Sequence, residues 1–246
     1  MKKYLLVIAN YNDQRQEIFD KYYSPRNQEY CSKYGYDYIV SKGIEKFRNN
    51  PTWWKFTVPL DLINKGIIKE NDVLLHLDAD MIIHDLNYEY PHAKNFTYAI
   101  DNGNSHCMGN YSMRINETTL NIMNDILDED LWNACKDTEL WTLWREQASW
   151  YTLSGVPRHS WIDFRMLPHK GWHQTQDNFL KTKIKYDLNF LYKNVEILGP
   201  EWNTTLITED KDSIPGSLMQ YNIAKSNKAN CIIRHFSAGQ QWRLDY

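Results

Sequence analysis

No run of about 18 apolar residues occurs in this 246-residue chain, so no membrane-spanning helix is expected. The apolar opening, Tyr4 to Ala9, is too short for the core of a secretion signal, and polar Asn10 to Glu17 follows it. A cytoplasmic protein is the expectation. Cysteine is scarce as well. Cys31, Cys107, Cys135 and Cys231 are scattered and lack the spacing of a metal site. Free thiols in a reducing compartment follow. Excess basic charge is also missing, with 28 Lys+Arg against 31 Asp+Glu and a net charge of −3. That excludes a broad nucleic-acid face and still allows a local basic pocket for a phosphate group. There is no internal repeat, low-complexity tract or linker, so residues 1–246 read as one compact domain. Asn-x-Ser/Thr at Asn95, Asn110, Asn116 and Asn203 reflects an asparagine-rich composition in a chain without a secretion signal.

What the chain does have is material for a core: 42% hydrophobic and 14% aromatic residues suit a single α/β domain. Tyr4 to Ala9 reads as a first strand. Asp13 to Tyr23 carries Ile18, Phe19, Tyr22 and Tyr23 at helical spacing. Ser24-Pro25 reads as the N-cap and first residue of a second helix that ends at Gly35. Tyr36 to Val40 is a second strand. Thr52 to Lys65 is a helix interrupted at Pro59 and closed by Gly66. Val73 to Leu77 is a third strand. This βαβαβ alternation implies a parallel sheet, whose ligands bind beyond the carboxyl ends of the strands. Later elements are strands at Tyr98 to Asp101 and Met108 to Ile115, then a helix capped by Asn116 and running to Leu127. An amphipathic helix follows over Leu140 to Ser154, with short strands at Val195 to Leu198 and Cys231 to Phe236. Arg158 to Gln176 is loop-like and rich in Trp, His, Arg and Pro.

Asp78 and Asp80 stand where the third strand ends, in Leu74-Leu75-His76-Leu77-Asp78-Ala79-Asp80-Met81-Ile82-Ile83. Buried carboxylates without partners are costly, so these two must reach solvent or meet positive charge. Carboxylates are hard oxygen donors suited to Mg²⁺ or Mn²⁺, which take further oxygens from substrate phosphates. Asp128-Glu129-Asp130 has the same pattern but follows a helical stretch, and reads as a solvated helix end. A haloacid-dehalogenase type of phosphatase would want its aspartate pair on the first strand, and no later Gly-Asp-x-x-x-Asp partner is present.

Seven stretches in order resemble the galactosyl- and xylosyltransferase-like family of retaining GT-A type glycosyltransferases. They are NQEYCSKYGYDYIV (27–40), WWKFTVPLDLI (53–63), LLHLDADMII (74–83), MGNYSMRIN (108–116), WREQASW (144–150), GPEWNTT (199–205) and IIRHFSAG (232–239). The resemblance implies a single GT-A (Rossmann-like) domain: a central, mostly parallel sheet flanked by helices, with Asp-x-Asp at the end of a core strand. About 1–110 would bind the nucleotide sugar and about 111–246 the acceptor. Two departures stand out. Cys107-Met108-Gly109 replaces the usual Asn-Ser/Thr-Gly, and Gly239 comes four residues after His235, where related families have three.

From this resemblance come the expected roles. Asp80 and His235 would ligate Mn²⁺ (or Mg²⁺), with Asp78 touching metal or ribose. Asn10 and Tyr11 would face the base, and Lys55 the diphosphate or sugar. Gly109 would allow close backbone approach to the donor, Gly239 would belong to the donor-binding set, and Arg243 would contact phosphate. Glu146 and Gln147 would lie beside the donor sugar as the catalytic pair. His76 and His84 read as structural. Apart from the resemblance, the loop Arg158 to Gln176, with Trp161, His169, Trp172 and His173 able to stack on or hydrogen-bond a glycan, reads as part of the acceptor site. The expected activity is metal-dependent, configuration-retaining transfer from a UDP-sugar to a glycan hydroxyl. The alternatives are a non-catalytic sugar- or nucleotide-binding module, disfavoured by the complete residue set, and an enzyme acting on a modified nucleic-acid base, disfavoured by the acidic net charge.

Overall fold

The computed structural model describes residues 1–11, 14–44, 51–101, 106–155, 179, 181–205 and 231–235. The predicted alternation is present. Strand β1 (Lys3–Ile8) leads to helix α1 (Gln14–Ile18), a π-helical turn (Phe19–Tyr23) and helix α2 (Ser24–Tyr34). Strand β2 (Tyr36–Ser41), helix α3 (Trp54–Asn64) and strand β3 (Val73–Asp78) follow. Next come β4 (Met81–Ile83), β5 (Phe96–Ile100) and β6 (His106–Arg114), then α4 (Glu117–Ile126), α5 (Glu129–Cys135) and α6 (Glu139–Ser154). Then come α7 (Leu188–Asn194), β7 (Val195–Leu198), β8 (Thr204–Thr205) and β9 (Ile233–His235), and short 3-10 turns lie at Pro51–Trp53 and Pro200–Trp202.

Six strands form one sheet in the order β2-β1-β3-β6-β5-β7. β1 lies parallel to both β2 and β3, and β5 parallel to β7. β6 runs antiparallel to β3 and β5, so it alone opposes the other five. Strand alternation sends the two sets of side chains to opposite layers. Tyr4, Leu6 and Leu74 pack with Trp53, Phe56, Ile122 and Trp150 of the α3–α4–α6 layer. Leu5, Val7, Leu75 and Leu77 pack with Phe19, Tyr23 and Tyr30 of the α1–α2 layer. A small second sheet, β4-β9-β8, caps one end.

Three local expectations are corrected. Ser24 is not a helix cap. It and Tyr23 both have right-handed helical dihedrals, so the π-helical turn passes straight into α2. Pro59 does not interrupt α3, which runs through it. A proline inside a helix lacks the N–H that would bond the carbonyl four residues earlier. That carbonyl belongs to Lys55, and the Tyr111 hydroxyl donates to it instead. Asp128 is a helix start: its carboxylate accepts the Leu131 N–H at 2.6 Å and caps α5.

Other signals read as expected. Asn116 forms a reciprocal capping box with Thr119 at the start of α4. Gly35 and Gly155 end their helices in the left-handed region, at φ 71° and 65°, which β-carbon sterics disfavour for other residues. The four cysteines are unpaired. Among the described residues no helix is long and apolar enough to cross a membrane.

Candidate active site

β1, β2 and β3 are parallel, so their carboxyl ends share one edge of the sheet. Ile8 pairs with Asp78 in register, which places the β1 exit beside the β3 exit. Asn10, exposed, and Tyr11, half-buried, lie just past β1 on that edge. Asp78 is the last residue of β3. Ala79-Asp80 is a turn, and Met81 already belongs to the second sheet. The two carboxylates therefore occupy the step where the chain leaves one sheet for the other, which answers why a core strand ends in acid.

Asp78 faces the α3–α6 layer and meets positive charge there. Lys55 Nζ lies 2.8 Å from Asp78 Oδ2 and 3.0 Å from Glu146 Oε1. The Lys55 side chain is 13% exposed and that of Glu146 4%, so the ammonium is clamped between two carboxylates largely out of water. Burial disfavours its charge, but Asp78 and Glu146 outweigh burial and hold its pKa well above the usual lysine value. Burial pushes the Asp78 carboxyl up, and Lys55 and His76 more than reverse this, leaving it at about 2.

Glu146 arrives through a backbone break. Arg145, inside α6, has φ 45° and ψ −111°. A non-glycine residue at positive φ is strained, and such strain persists only where surrounding structure enforces it. The residue after the break is Glu146, on Lys55. The next is Gln147, whose Oε1 accepts the Met108 N–H of β6 at 2.8 Å. This bond fixes the Gln147 amide and leaves its NH₂ as the donating end.

Asp80 meets a residue from the far end of the chain. β4 and β9 pair antiparallel with Met81 opposite His235. His235 Nε2 consequently lies 3.7 Å from Asp80 Oδ1. Burial works against the imidazolium, but Asp80 and Cys107 raise the His235 pKa to about 9. Burial raises the Asp80 pKa, with His235 opposing. Gly109 sits where β6 passes this cluster. A β-carbon there would lie 2.4 Å from Met81 Cε and 3.0 Å from Asp78 Oδ2, so glycine gives Asp78 its room. Cys107 Sγ accepts the Gly109 N–H at 3.3 Å.

Three of the expected residues, Lys55, Asp78 and Glu146, thus form one charged cluster, with Gly109 against it. Asp80 and His235 form a second pair beside it, and Gln147 is tied to β6. Gly239, Arg243 and the acceptor loop with Trp161, His169, Trp172 and His173 lie outside the described residues. His76, read as structural from the sequence, touches the site directly: its Nε2 is 3.1 Å from Asp78 Oδ1. The signal for it was strand periodicity, because residues 76 and 78 of one strand share a face.

The Asp80–His235 separation suits a divalent cation. It is too long for a hydrogen bond. Two ligands each roughly 2 Å from one ion stand a comparable distance apart. A carboxylate and an imidazole form a donor set that Mn²⁺ accepts, once the imidazole gives up its proton. Among the described residues no group of three or more His, Cys, Asp and Glu side chains is arranged to hold a metal. An ion here would need further oxygens from a phosphate or water.

No family model and no curated protein matches the chain. Solved structures do. A glycosyltransferase involved in the glycosylation of the major capsid of PBCV-1 aligns with a TM-score of 0.53 at 10% identity, over 96% of this chain and 95% of that one. The catalytic domain of Drosophila beta1,4galactosyltransferase 7 (TM-score 0.35, 13% identity, 80% of this chain and 65% of that one) matches more weakly. So does GlyE of Streptococcus pneumoniae TIGR4 (TM-score 0.41, 13% identity, 97% and 66%). The first of these, with the sheet order above, carries the conclusion: the chain has the α/β fold of GT-A type glycosyltransferases.

Proposed function

We propose that this protein is a metal-dependent, retaining glycosyltransferase that moves a sugar from a UDP-sugar to a hydroxyl of a glycan acceptor. The observation that carries the reading is the Lys55 ammonium held between Asp78 and Glu146 at the carboxyl edge of the parallel strands, beside the Asp80–His235 pair. Ligands of such sheets bind at that edge.

Each residue has a task in this reading. Asp80 and His235 hold the cation, which neutralises the diphosphate and makes it a better leaving group. Lys55 offers a second, built-in positive charge to the donor, and Asp78 keeps it in place. Asn10 and Tyr11, at the β1 exit, line the side where the base would sit. Glu146 and the Gln147 NH₂ hold the sugar. Gly239 and Arg243 are assigned to the donor phosphates, residues 1–110 mainly to the donor and 111–246 to the acceptor.

Turnover is the direct test. With Mn²⁺ present, the protein is expected to release free nucleotide from UDP-sugars in a panel of nucleotide sugars, and EDTA is expected to stop it. Absence of release from every donor, with or without acceptor glycans, would reject the reading.

Product stereochemistry is the second expectation. Inversion requires a carboxylate base on the acceptor side to deprotonate the incoming hydroxyl. The carboxylate assigned beside the sugar, Glu146, has Oε1 on Lys55 instead. An α-linked donor should therefore give an α-linked product. Proton NMR of the new anomeric signal decides the matter, and a β product would overturn the retaining assignment while leaving transfer itself intact.

A further inference from the structure

His76 occupies a core position of β3. Leu74 shares its face and Leu75 and Leu77 flank it, and its own exposure is 0%. An aliphatic residue is the usual occupant of such a place, and an imidazole there is costly unless it is hydrogen-bonded. Among the described residues, Asp78 is the only hydrogen-bond partner of its ring, through Nε2 at 3.1 Å. Nδ1 is buried and, among the described residues, has no hydrogen-bond partner. The ring therefore makes one directed polar contact, and that contact is with the site.

The layer beneath supports the same arrangement. The Tyr111 ring lies 5.1 Å from the His76 ring and stacks on Phe56 at 5.3 Å. The hydroxyl of Tyr111 holds the Lys55 carbonyl that Pro59 leaves without a helical donor. Lys55 is thus fixed through its backbone by Tyr111 and through its ammonium by Asp78 and Glu146. Asp78 is in turn fixed twice, by Lys55 on Oδ2 and by His76 on Oδ1.

We propose that His76 is a positioning residue for donor binding: it donates Nε2–H to Oδ1 of Asp78, so that Oδ2 stays on Lys55 and the ammonium meets the donor diphosphate in one geometry. This rests on the glycosyltransferase reading above. It assigns Asp78 to anchoring Lys55 and leaves cation binding to Asp80 and His235. A carboxylate accepts only, so a neutral ring that holds Asp78 carries its proton on Nε2 and leaves Nδ1 bare. That no described residue bonds Nδ1 agrees with that tautomer.

The test compares the parent with His76→Phe and His76→Gln. Phenylalanine keeps a ring against Tyr111 and removes the donor. Glutamine can place an amide N–H near the position of Nε2. UDP affinity with Mn²⁺, kcat and KM for the UDP-sugar, circular dichroism and melting are measured on all three. His76→Phe is expected to lose about 10- to 100-fold in affinity or turnover, by analogy with the loss seen when a group that orients a metal ligand is removed, while remaining folded. His76→Gln is expected to recover most of the loss, which a purely packing role would not produce. Nitrogen-15 NMR of the folded parent gives a readout that needs no variant, and the Nε2–H tautomer of His76 is expected. A His76→Phe protein with parental affinity and kcat, a His76→Gln protein as impaired as His76→Phe, or an Nδ1–H tautomer would each overturn the proposal. A parent that binds no UDP and consumes no nucleotide sugar overturns the glycosyltransferase reading and this inference with it. An active parent beside an equally active His76→Phe overturns this inference alone.

Discussion

Replacing Asp80 with asparagine is expected to abolish manganese-dependent binding of UDP. Asn keeps the shape of the side chain and removes the charge a hard divalent ion requires. Its partner loses its role at the same time, because a lone neutral imidazole at position 235 is a weak site for Mn²⁺. Calorimetry with UDP, with and without Mn²⁺, reads the effect. The internal control is Asp128→Asn in the other Asp-x-Asp segment. Asp128 caps α5 through the Leu131 N–H, and asparagine caps as well as aspartate. That variant should keep both UDP binding and melting temperature. If Asp80→Asn binds UDP with Mn²⁺ as tightly as the parent, the aspartate pair is structural and the cation site lies elsewhere.

Lys55→Met should have the largest effect on stability. It removes the ammonium that bridges Asp78 and Glu146, whose side chains are 23% and 4% exposed. Breaking a buried ion pair from one side costs about 3–5 kcal/mol, because the two carboxylates lose the charge that compensated them while staying largely buried, Asp78 keeping its hydrogen bond from His76. For a chain of this size that is roughly 6–20 °C in melting temperature. Turnover should be lost as well. The triple variant Lys55→Met, Asp78→Asn, Glu146→Gln separates the two effects. With no buried charge left to compensate, it should regain most of the stability and none of the activity. Thermal melts and the nucleotide-release assay on both proteins provide the check. A single variant that melts with the parent would mean that Asp78 and Glu146 are solvated rather than clamped by Lys55.

The βαβαβ half was legible because its signals are local. Apolar runs of five or six residues, Gly35 as a helix stop and the Asn116 cap each depend on a few neighbouring residues. The exit of β3 into Asp78-Ala79-Asp80 was legible for the same reason: a core strand that turns acidic marks its own end. Misreadings arose where a local signal met a tertiary override. Ser24-Pro25 suits a helix start, yet packing of Phe19 and Tyr23 carries the helical backbone through it. Pro59 suits a helix break, yet Tyr111, from strand β6, satisfies the carbonyl it frees.

By itself the sequence determined the parallel α/β alternation, the carboxylates at a strand end, the lack of excess basic charge and the residue types available for donor chemistry. All of these follow from periodicity and composition. Only the tertiary structure decided which of those residues meet. Lys55 reaches Glu146 because α3 and α6 cover the same face of the sheet and the strained backbone at Arg145 turns α6 toward it. His235 reaches Asp80 because β9 pairs with β4. His76 reaches Asp78 because strand alternation puts both on the face where Tyr111 supports them. The reason is physical: propensity and patterning act over a few residues, whereas a charge cluster is assembled by packing between segments far apart in the chain, and its energy exists only once water has been excluded from around it.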